Sequence, residues 1–356
     1  MKCERVDVLC IGLGPAGASA ASAAAREGCS VFGVDRRRAP GLPVQCAEFV
    51  PALMGVEGGA LARAVEQRIV SMTTRIEAGA CDIQPNFPGQ MLDRARFDAL
   101  LVERARMTGA AVEFGVAARE VARDGRVALS DGRVVEAKVV IGADGPRSIV
   151  GSAIGSVNTS VVETRQVTVA LHAAYDATDI FLSRTIPGGY GWLFPKGRVA
   201  NVGAGVVPGA RARLKAIVNR LHESLIRQGR TGVDVLALTG GLIPVGGMLQ
   251  PCAVRGAACV LLAGDAAGLA NPVTGAGIAA AVYSGTLAGE AAASLVAGHA
   301  AAAADYLDEL QSVFGGALDR ALRRRQELAQ SVQQDGAPGR QAMRRGWIAY
   351  PEYWAA

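Results

Sequence analysis

The sequence predicts an α/β chain in which a Rossmann-like dinucleotide-binding domain is joined to a second domain built on an antiparallel β-sheet. Three glycine-rich segments, Gly12–Gly17, Gly142–Gly145 and Gly264–Gly268, each follow an apolar run of strand length. Between the second and third, Thr164 to Val207 holds strand-like runs parted by Asp-Ala-Thr-Asp, Pro-Gly-Gly and Pro-Lys-Gly turn signals. A chain of 356 residues with 50% hydrophobic content can bury two such cores. The expected division is a discontinuous first domain over 1–150 and 251–310, an antiparallel-sheet domain over 151–250, and a C-terminal helix and tail over 311–356. Residues 65–92 are a candidate contribution to the second domain.

Val6-Asp7-Val8-Leu9-Cys10-Ile11 leads directly into Gly12-Leu13-Gly14-Pro15-Ala16-Gly17, and Ala-rich sequence from Ala18 to Arg26 follows at helix length. That order is strand, tight turn, helix. Gly12 permits the turn, Gly14 lets the backbone approach a pyrophosphate, and Gly17 lets helix and strand pack closely. The helix N-terminus then offers free N–H groups and a positive dipole to the phosphates. The next apolar strand, Ser30 to Val34, ends at Asp35, near the roughly 20-residue offset at which an acid accepts hydrogen bonds from a ribose. Arg36, Arg37 and Arg38 follow and leave two readings open, a phosphate clamp or a solvated basic loop.

Val139-Val140-Ile141 runs into Gly142-Ala143-Asp144-Gly145, a tight turn that carries an aspartate at a strand end. Cys259 to Ala263 repeats the arrangement and places Asp265 where ligands of parallel sheets bind. Beyond Pro272, the small residues from Gly275 to Ala281 make a helix start that a large ligand can approach. Three such segments, far apart in sequence, imply one extended dinucleotide, FAD.

Composition narrows the setting. No stretch is long and apolar enough for a convincing membrane span, because the region near Val260 is broken by Asp265, Asn271 and Pro272. The first strand begins at once, so no signal peptide is expected, and a cytoplasmic location follows. Seven cysteines without a CxxC pair argue against a secreted disulfide framework, and three separated histidines against a metal site. A net charge of +5 fits a solvated surface and gives no reason to expect nucleic acid. Arg320, Arg323, Arg324, Arg325, Arg340, Arg344 and Arg345 nevertheless concentrate late, ahead of Trp347, Tyr350, Tyr353 and Trp354. Two readings stand: a tail seated peripherally at an anionic membrane interface, or aromatics packed on the protein itself.

The fingerprints resemble the FAD-dependent oxidoreductase superfamily that includes p-hydroxybenzoate hydroxylase, flavin-dependent halogenases and geranylgeranyl reductases. Gly189-Tyr190-Gly191-Trp192-Leu193-Phe194-Pro195 is similar to the Tyr-x-Trp-x-Phe-Pro motif of the geranylgeranyl reductase branch. Gln45-Cys46-Ala47-Glu48 resembles the cysteine-bearing loop of archaeal reductases of that branch. The resemblance covers most of residues 1–310 and fades from about Gln311. It implies FAD contacts at Ala16, Asp35, Gln45, Cys46, Glu48, Arg94, Ala118, Asp265, Gly277 and Ile278, with Arg96 competing for the place of Arg94. Gly12, Gly14, Pro15, Gly17, Arg36, Asp144, Gly145, Gly264 and Gly275 complete the expected cofactor set.

The resemblance implies hydride transfer from reduced FAD to a carbon–carbon double bond of a lipophilic, prenyl-like substrate, with a proton added beside it. Tyr190, Trp192 and Phe194 alternate and would share one strand face, as a hydrophobic slot or as core. Tyr190 is a candidate proton donor, although a phenol near its ordinary pKa of about 10 is a poor acid. Cys46 is a candidate redox or ring-contacting residue, against the ordinary role of a buried thiol as a small hydrophobe. An FAD monooxygenase, a halogenase, a dehydrogenase and a non-enzymatic flavin electron carrier are the rival readings. No second nucleotide-binding domain is evident, so NAD(P)H docking transiently or a ferredoxin-like protein would supply electrons.

Overall fold

The computed structural model describes residues 3–51 and 59–355. The apolar runs ahead of the three fingerprints become adjacent parallel strands of one sheet. Cys3–Ile11 lies between Val31–Asp35 and Val134–Gly142, and Ala258–Leu262 and Ala111–Phe114 extend the parallel set on either side. Parallel strands are covered on both faces, which is why Val8, Leu9, Val139, Val140, Ile141 and Val260 to Leu262 are all buried without alternation. Antiparallel strands finish the sheet: Cys252–Arg255 at one edge, and Val127–Leu129 with Ala118–Val121 beside Val134–Gly142.

Register brings the fingerprints together. Ile11 pairs with Val34 and with Gly142, and Gly142 pairs with Leu262, so the carboxyl ends of four strands meet at one rim. Helix Pro15–Arg26 packs there against helix Ile278–Val296. A Cβ on Gly285 would stand 2.1 Å from Ala16 O, and one on Gly289 would stand 2.4 Å from Ala20 O. Only glycines allow that approach.

The second sheet runs Thr231–Thr239, Val161–Leu171, Val199–Val206, Gly191–Lys196, Ala177–Leu182, Ser71–Ile76, Cys81–Gln84. It departs from the antiparallel expectation at one place, where Ser71–Ile76 lies parallel to Ala177–Leu182. These strands come from distant segments, so no hairpin turn forces them antiparallel. Phe49–Pro51, Gly89–Leu92 and Val65–Ile69 form a small third sheet. Helix Leu214–Arg227 covers one face of the second sheet through Ile217, Val218 and Leu225 on Val167, Val169, Leu193 and Val202.

The expected boundary at residue 311 falls inside a helix. Ala302–Leu310 continues through a π-helical turn, Gln311–Gly315, into Gly316–Asp335. Two short helices, Arg340–Arg345 and Pro351–Trp354, follow. Trp347, Tyr350 and Tyr353 are buried, which corrects the reading of the tail as a set of interfacial aromatics. The late arginines are largely engaged too: Arg324 donates to Tyr353 O and Glu327, Arg344 to Glu352, Arg345 to Glu327, and Arg325 to Pro272 O. Trp354 alone of the four aromatics is exposed, with Arg320 over its ring. No helix among the described residues is long and apolar enough to cross a membrane.

Candidate active site

The strand rim is built chiefly from backbone. Gly12 has φ +90°, and a Cβ there would stand 2.4 Å from Ala143 O. A Cβ on Gly17 would stand 1.7 Å from Gly12 O, so Gly17 is required for helix and turn to touch. A Cβ on Gly14 would meet only open space. Gly14 is the N-cap of helix Pro15–Arg26, Pro15 opens its first turn, and no side chain caps it. Free N–H groups beside an open cradle suit a pyrophosphate. Gly277 likewise caps helix Ile278–Val296 without a side-chain partner. The open cradle and the two uncapped helix starts fit FAD.

Asp35 is buried at the end of its strand and accepts from Leu13 N and Arg37 N, both at 2.8 Å. The segment leading to Ala118 bonds the same corner, Gly115 N to Arg37 O and Val116 N to Asp35 O. Arg36 is exposed, whereas Arg37 donates to Gln45 at 3.2 Å. Of the basic trio, Arg37 is the one tied to the loop carrying Cys46. Asp144 turns toward the start of the helix Ile149–Ala153, whose N-cap is Ser148, accepting from the Ser148 hydroxyl and Ile149 N, and burial raises its pKa. It holds the Gly145 turn, which corrects the expectation that it extends a polar group into the crevice.

Asp265 is different. Burial raises its carboxyl to about 6 while Arg94 opposes the rise, and its side chain accepts no hydrogen bond among the described residues. It lies beside Gly277, with Gly264 packed on Ala16 and Ala281. Gly275, at φ +71°, lies against Ile243. An acceptor left open among these glycines suits the hydroxyls of a ribityl chain. Arg94 belongs to the same group: burial works against its charge, but Asp98, at 3.0 and 3.2 Å, and nearby Cys46 hold it cationic. Arg96 is exposed and plays no part in this group.

The loop over this rim is held by remote side chains. Glu48 has φ +69° and is buried; it accepts from Arg94 N, from Lys196 Nζ at 2.8 Å and from Asn201 Nδ2 at 3.0 Å. The carboxylate is therefore occupied as an anchor. Gln166 joins the loop to the aromatic motif: its amide donates to Cys46 O at 3.2 Å and accepts from Trp192 Nε1 at 3.0 Å. Sequence reasoning missed Gln166, Lys196, Asn201 and Asp98. The available signal was a polar side chain inside an otherwise apolar strand, as at Asn201; the mixed strand Val161–Leu171 gives no such signal for Gln166.

Tyr190, Trp192 and Phe194 do share a face. Ring centroids stand 5.7 Å apart for Tyr190 and Trp192 and 6.1 Å for Trp192 and Phe194, and Phe49 continues the row. At the other end Trp347 packs on Tyr190 at 4.7 Å. The Tyr190 hydroxyl donates to Thr274 O at 2.6 Å, and burial drives its pKa well above the usual phenol range. Through this bond Tyr190 holds the loop before Gly275.

Residues 5–183 match the family described as FAD binding domain, and residues 160–243 match the geranylgeranyl reductase catalytic domain. Digeranylgeranylglycerophospholipid reductase 1 of Methanopyrus kandleri is 33% identical over 300 residues, spanning 76% of this chain and 75% of the relative. The corresponding reductase of Methanosarcina acetivorans is 33% identical over 297 residues, with 76% and 70% covered. A geranylgeranyl bacteriochlorophyll reductase-like protein from Thermoplasma acidophilum superposes with a TM-score of 0.81 at 26% identity, covering 92% of this chain and 88% of that one. A probable FAD-dependent monooxygenase from Pseudomonas aeruginosa, at 20% identity and a TM-score of 0.69 over 94% and 98% of the chains, shares the fold. With its three fingerprints at one rim and the aromatic motif hung above them, the chain belongs to the geranylgeranyl reductase family of FAD-dependent oxidoreductases.

Proposed function

We propose that this enzyme reduces carbon–carbon double bonds of a lipophilic substrate bearing prenyl chains. The observation that carries the reading is the aromatic row joined through Trp192 and Gln166 to Cys46 beside the FAD rim. FAD, when bound and reduced, would supply the hydride for such a reduction. The chain's own part is to position an uncharged substrate and keep water away, for which an aromatic wall is suited. In this reading Trp192 orients the alkene, Cys46 lies against the reacting ring, and Tyr190 fixes the loop that ends at Gly275. Electrons come from NAD(P)H or from a ferredoxin-like protein.

The cofactor-binding roles of Gly12, Gly14, Asp35, Arg94, Ala118, Asp265 and Ile278 belong to the same proposal. So does the division of labour between the first sheet, as the FAD domain, and the second, as the substrate domain. The test is anaerobic photoreduction followed by reoxidation with a polyprenyl lipid, with mass analysis of the lipid. Fast reoxidation with two hydrogens gained per bond is expected, with slow reoxidation in air. Rapid oxygen consumption coupled to a hydroxylated product would overturn the reading in favour of a monooxygenase.

A further inference from the structure

The second sheet ends in an edge that no described part of the chain pairs with. Among the described strands Thr231–Thr239 pairs only with Val161–Leu171, yet Val233, Val235, Leu236 and Leu238 are 67, 51, 60 and 55% exposed. Isolated exposed aliphatics need no explanation, but four within six residues do. Val235 lies opposite Val169 and Leu238 opposite Val167, with Leu236 the extra residue at a bulge. Paired residues share a face, so Val235 and Leu238 point to one side with Val169 and Val167, while a second register shift parts Val235 from Thr231. Without the bulge Val235 and Leu238 would point to opposite sides. The bulge also disrupts the regular ladder that an added strand from a second copy would need.

That side of the sheet is the one helix Leu214–Arg227 covers farther in. Residues 208–239 hold six basic side chains, Arg211, Arg213, Lys215, Arg220, Arg227 and Arg230, against two acidic ones, Glu223 and Asp234. This is a net +4 in 32 residues, where the whole chain carries +5. Arg211 pairs with Glu163 and Arg230 with Asp179. Arg213, Lys215, Arg220 and Arg227 are exposed and form no ion pair among the described residues. Among unpaired side chains these four cations stand against exposed Glu223 and Asp234, and an aliphatic edge on an element with such a cationic excess is complementary to an anionic lipid surface, where apolar groups enter the headgroup boundary and cations meet phosphate.

We propose that the edge Thr231–Thr239 and helix Leu214–Arg227 together dock this enzyme on anionic lipid. The proposal rests on the lipophilic-substrate reading above. Placement serves it, because the carboxyl end of the strand is fastened to the Cys46 loop: the Thr239 hydroxyl donates to Val44 O, and Gly241 lies against Gln45. The docked edge thus delivers lipid beside the loop that covers the FAD rim.

The experiment is cosedimentation of the FAD-loaded full chain with phosphatidylcholine vesicles, with and without phosphatidylglycerol. Binding is expected only with the anionic lipid and is lost in high salt. Val235→Ser with Leu238→Ser should weaken it at least tenfold. Changing Arg213, Lys215, Arg220 and Arg227 to Gln should weaken it by roughly two to three orders of magnitude, at about fivefold per basic residue. Flavin content and melting temperature serve as controls, since all six side chains are exposed. Absence of wild-type binding, or variants that bind as the wild type does, overturns the proposal. Loss of a dimer in the serine variant, with vesicle binding unchanged, assigns the edge to a second copy. Loss of reduction by an acidic ferredoxin-like donor alone assigns the charge to a protein partner. Reoxidation by detergent-dispersed prenyl lipid is measured on the same proteins. If it fails in the wild type, the substrate reading falls; if it survives while vesicles are ignored, only the docking face falls.

Discussion

The glycine-built strand rim and the aromatic row, the two sides of the proposed site, are built from different materials. The rim is backbone: Gly12, Gly14 and Gly17 matter for the side chains they lack. The wall is side chain: Trp192, Gln166, Glu48, Lys196 and Asn201 matter for the contacts they make. A backbone site tolerates almost no change of residue but needs few residues. A side-chain site spreads its dependence over many positions, each replaceable at moderate cost. The two sides should therefore fail differently.

The largest difference is expected between Gly17 and Gly14. Gly17→Val puts a Cβ 1.7 Å from Gly12 O, so the chain should fail to yield folded, flavin-bearing protein. Gly14→Ala meets no protein atom within 4 Å, so the flavin-free fold should survive while FAD affinity drops by about tenfold or more as the pyrophosphate cradle fills. Flavin content and thermal melting of both variants check this, and equal behaviour would erase the distinction between packing and cradle glycines.

On the wall, Trp347→Ala should cost about 3–5 kcal/mol of stability, read by denaturant unfolding, with FAD still bound. Trp354→Ala, on an exposed ring that keeps an Nε1 bond to Ile348 O and the Arg320 contact, should cost only about 1–2 kcal/mol. Similar losses at both positions would mean that the tail does not close the wall.

Asp265 sharpens the comparison by pH. Its folded carboxyl is raised to about 6, above the unfolded value of 3.8, so the folded state binds the proton more tightly. Its favourable contribution is complete below about pH 4 and is lost as pH rises toward 6. In flavin-free protein, Asp265→Asn should remove this slope and stabilise by at most about 3 kcal/mol at pH 7. An unchanged stability profile would show that the carboxylate has a partner in solution. The smallest effect is expected from Arg36→Ala, which should leave FAD affinity within about 0.5 kcal/mol because the side chain is exposed. A larger loss by titration would revive the phosphate clamp.

The same contrast governs what could be read from sequence. Glycine spacing behind an apolar strand encodes backbone geometry locally, so Gly12, Gly142 and Gly264 can each be placed at a strand end from sequence, and their conjunction points to one ligand. Glu48 could not be recognised as an anchor, because Lys196 and Asn201 lie 148 and 153 residues away. Ser71–Ile76 pairs in parallel with a strand more than a hundred residues later, and no turn marks such a pairing. The tail's arginines and aromatics fit a membrane face and a packed face equally by composition. What decided between them was the pairing of Arg324, Arg344 and Arg345 with Glu327 and Glu352, which neutralises the charge locally.

Trp347 closing on Tyr190 also sets an order of assembly. Synthesis runs from the N-terminus, and domains fold as they emerge. Every strand of the first sheet is complete once Leu262 has been made, and helix Ile278–Val296 finishes the rim soon after. The aromatic row must wait for Trp347, beyond three further helices. A chain that folded as it was made would therefore form its cofactor pocket before its aromatic row, which the segment after Arg345 completes.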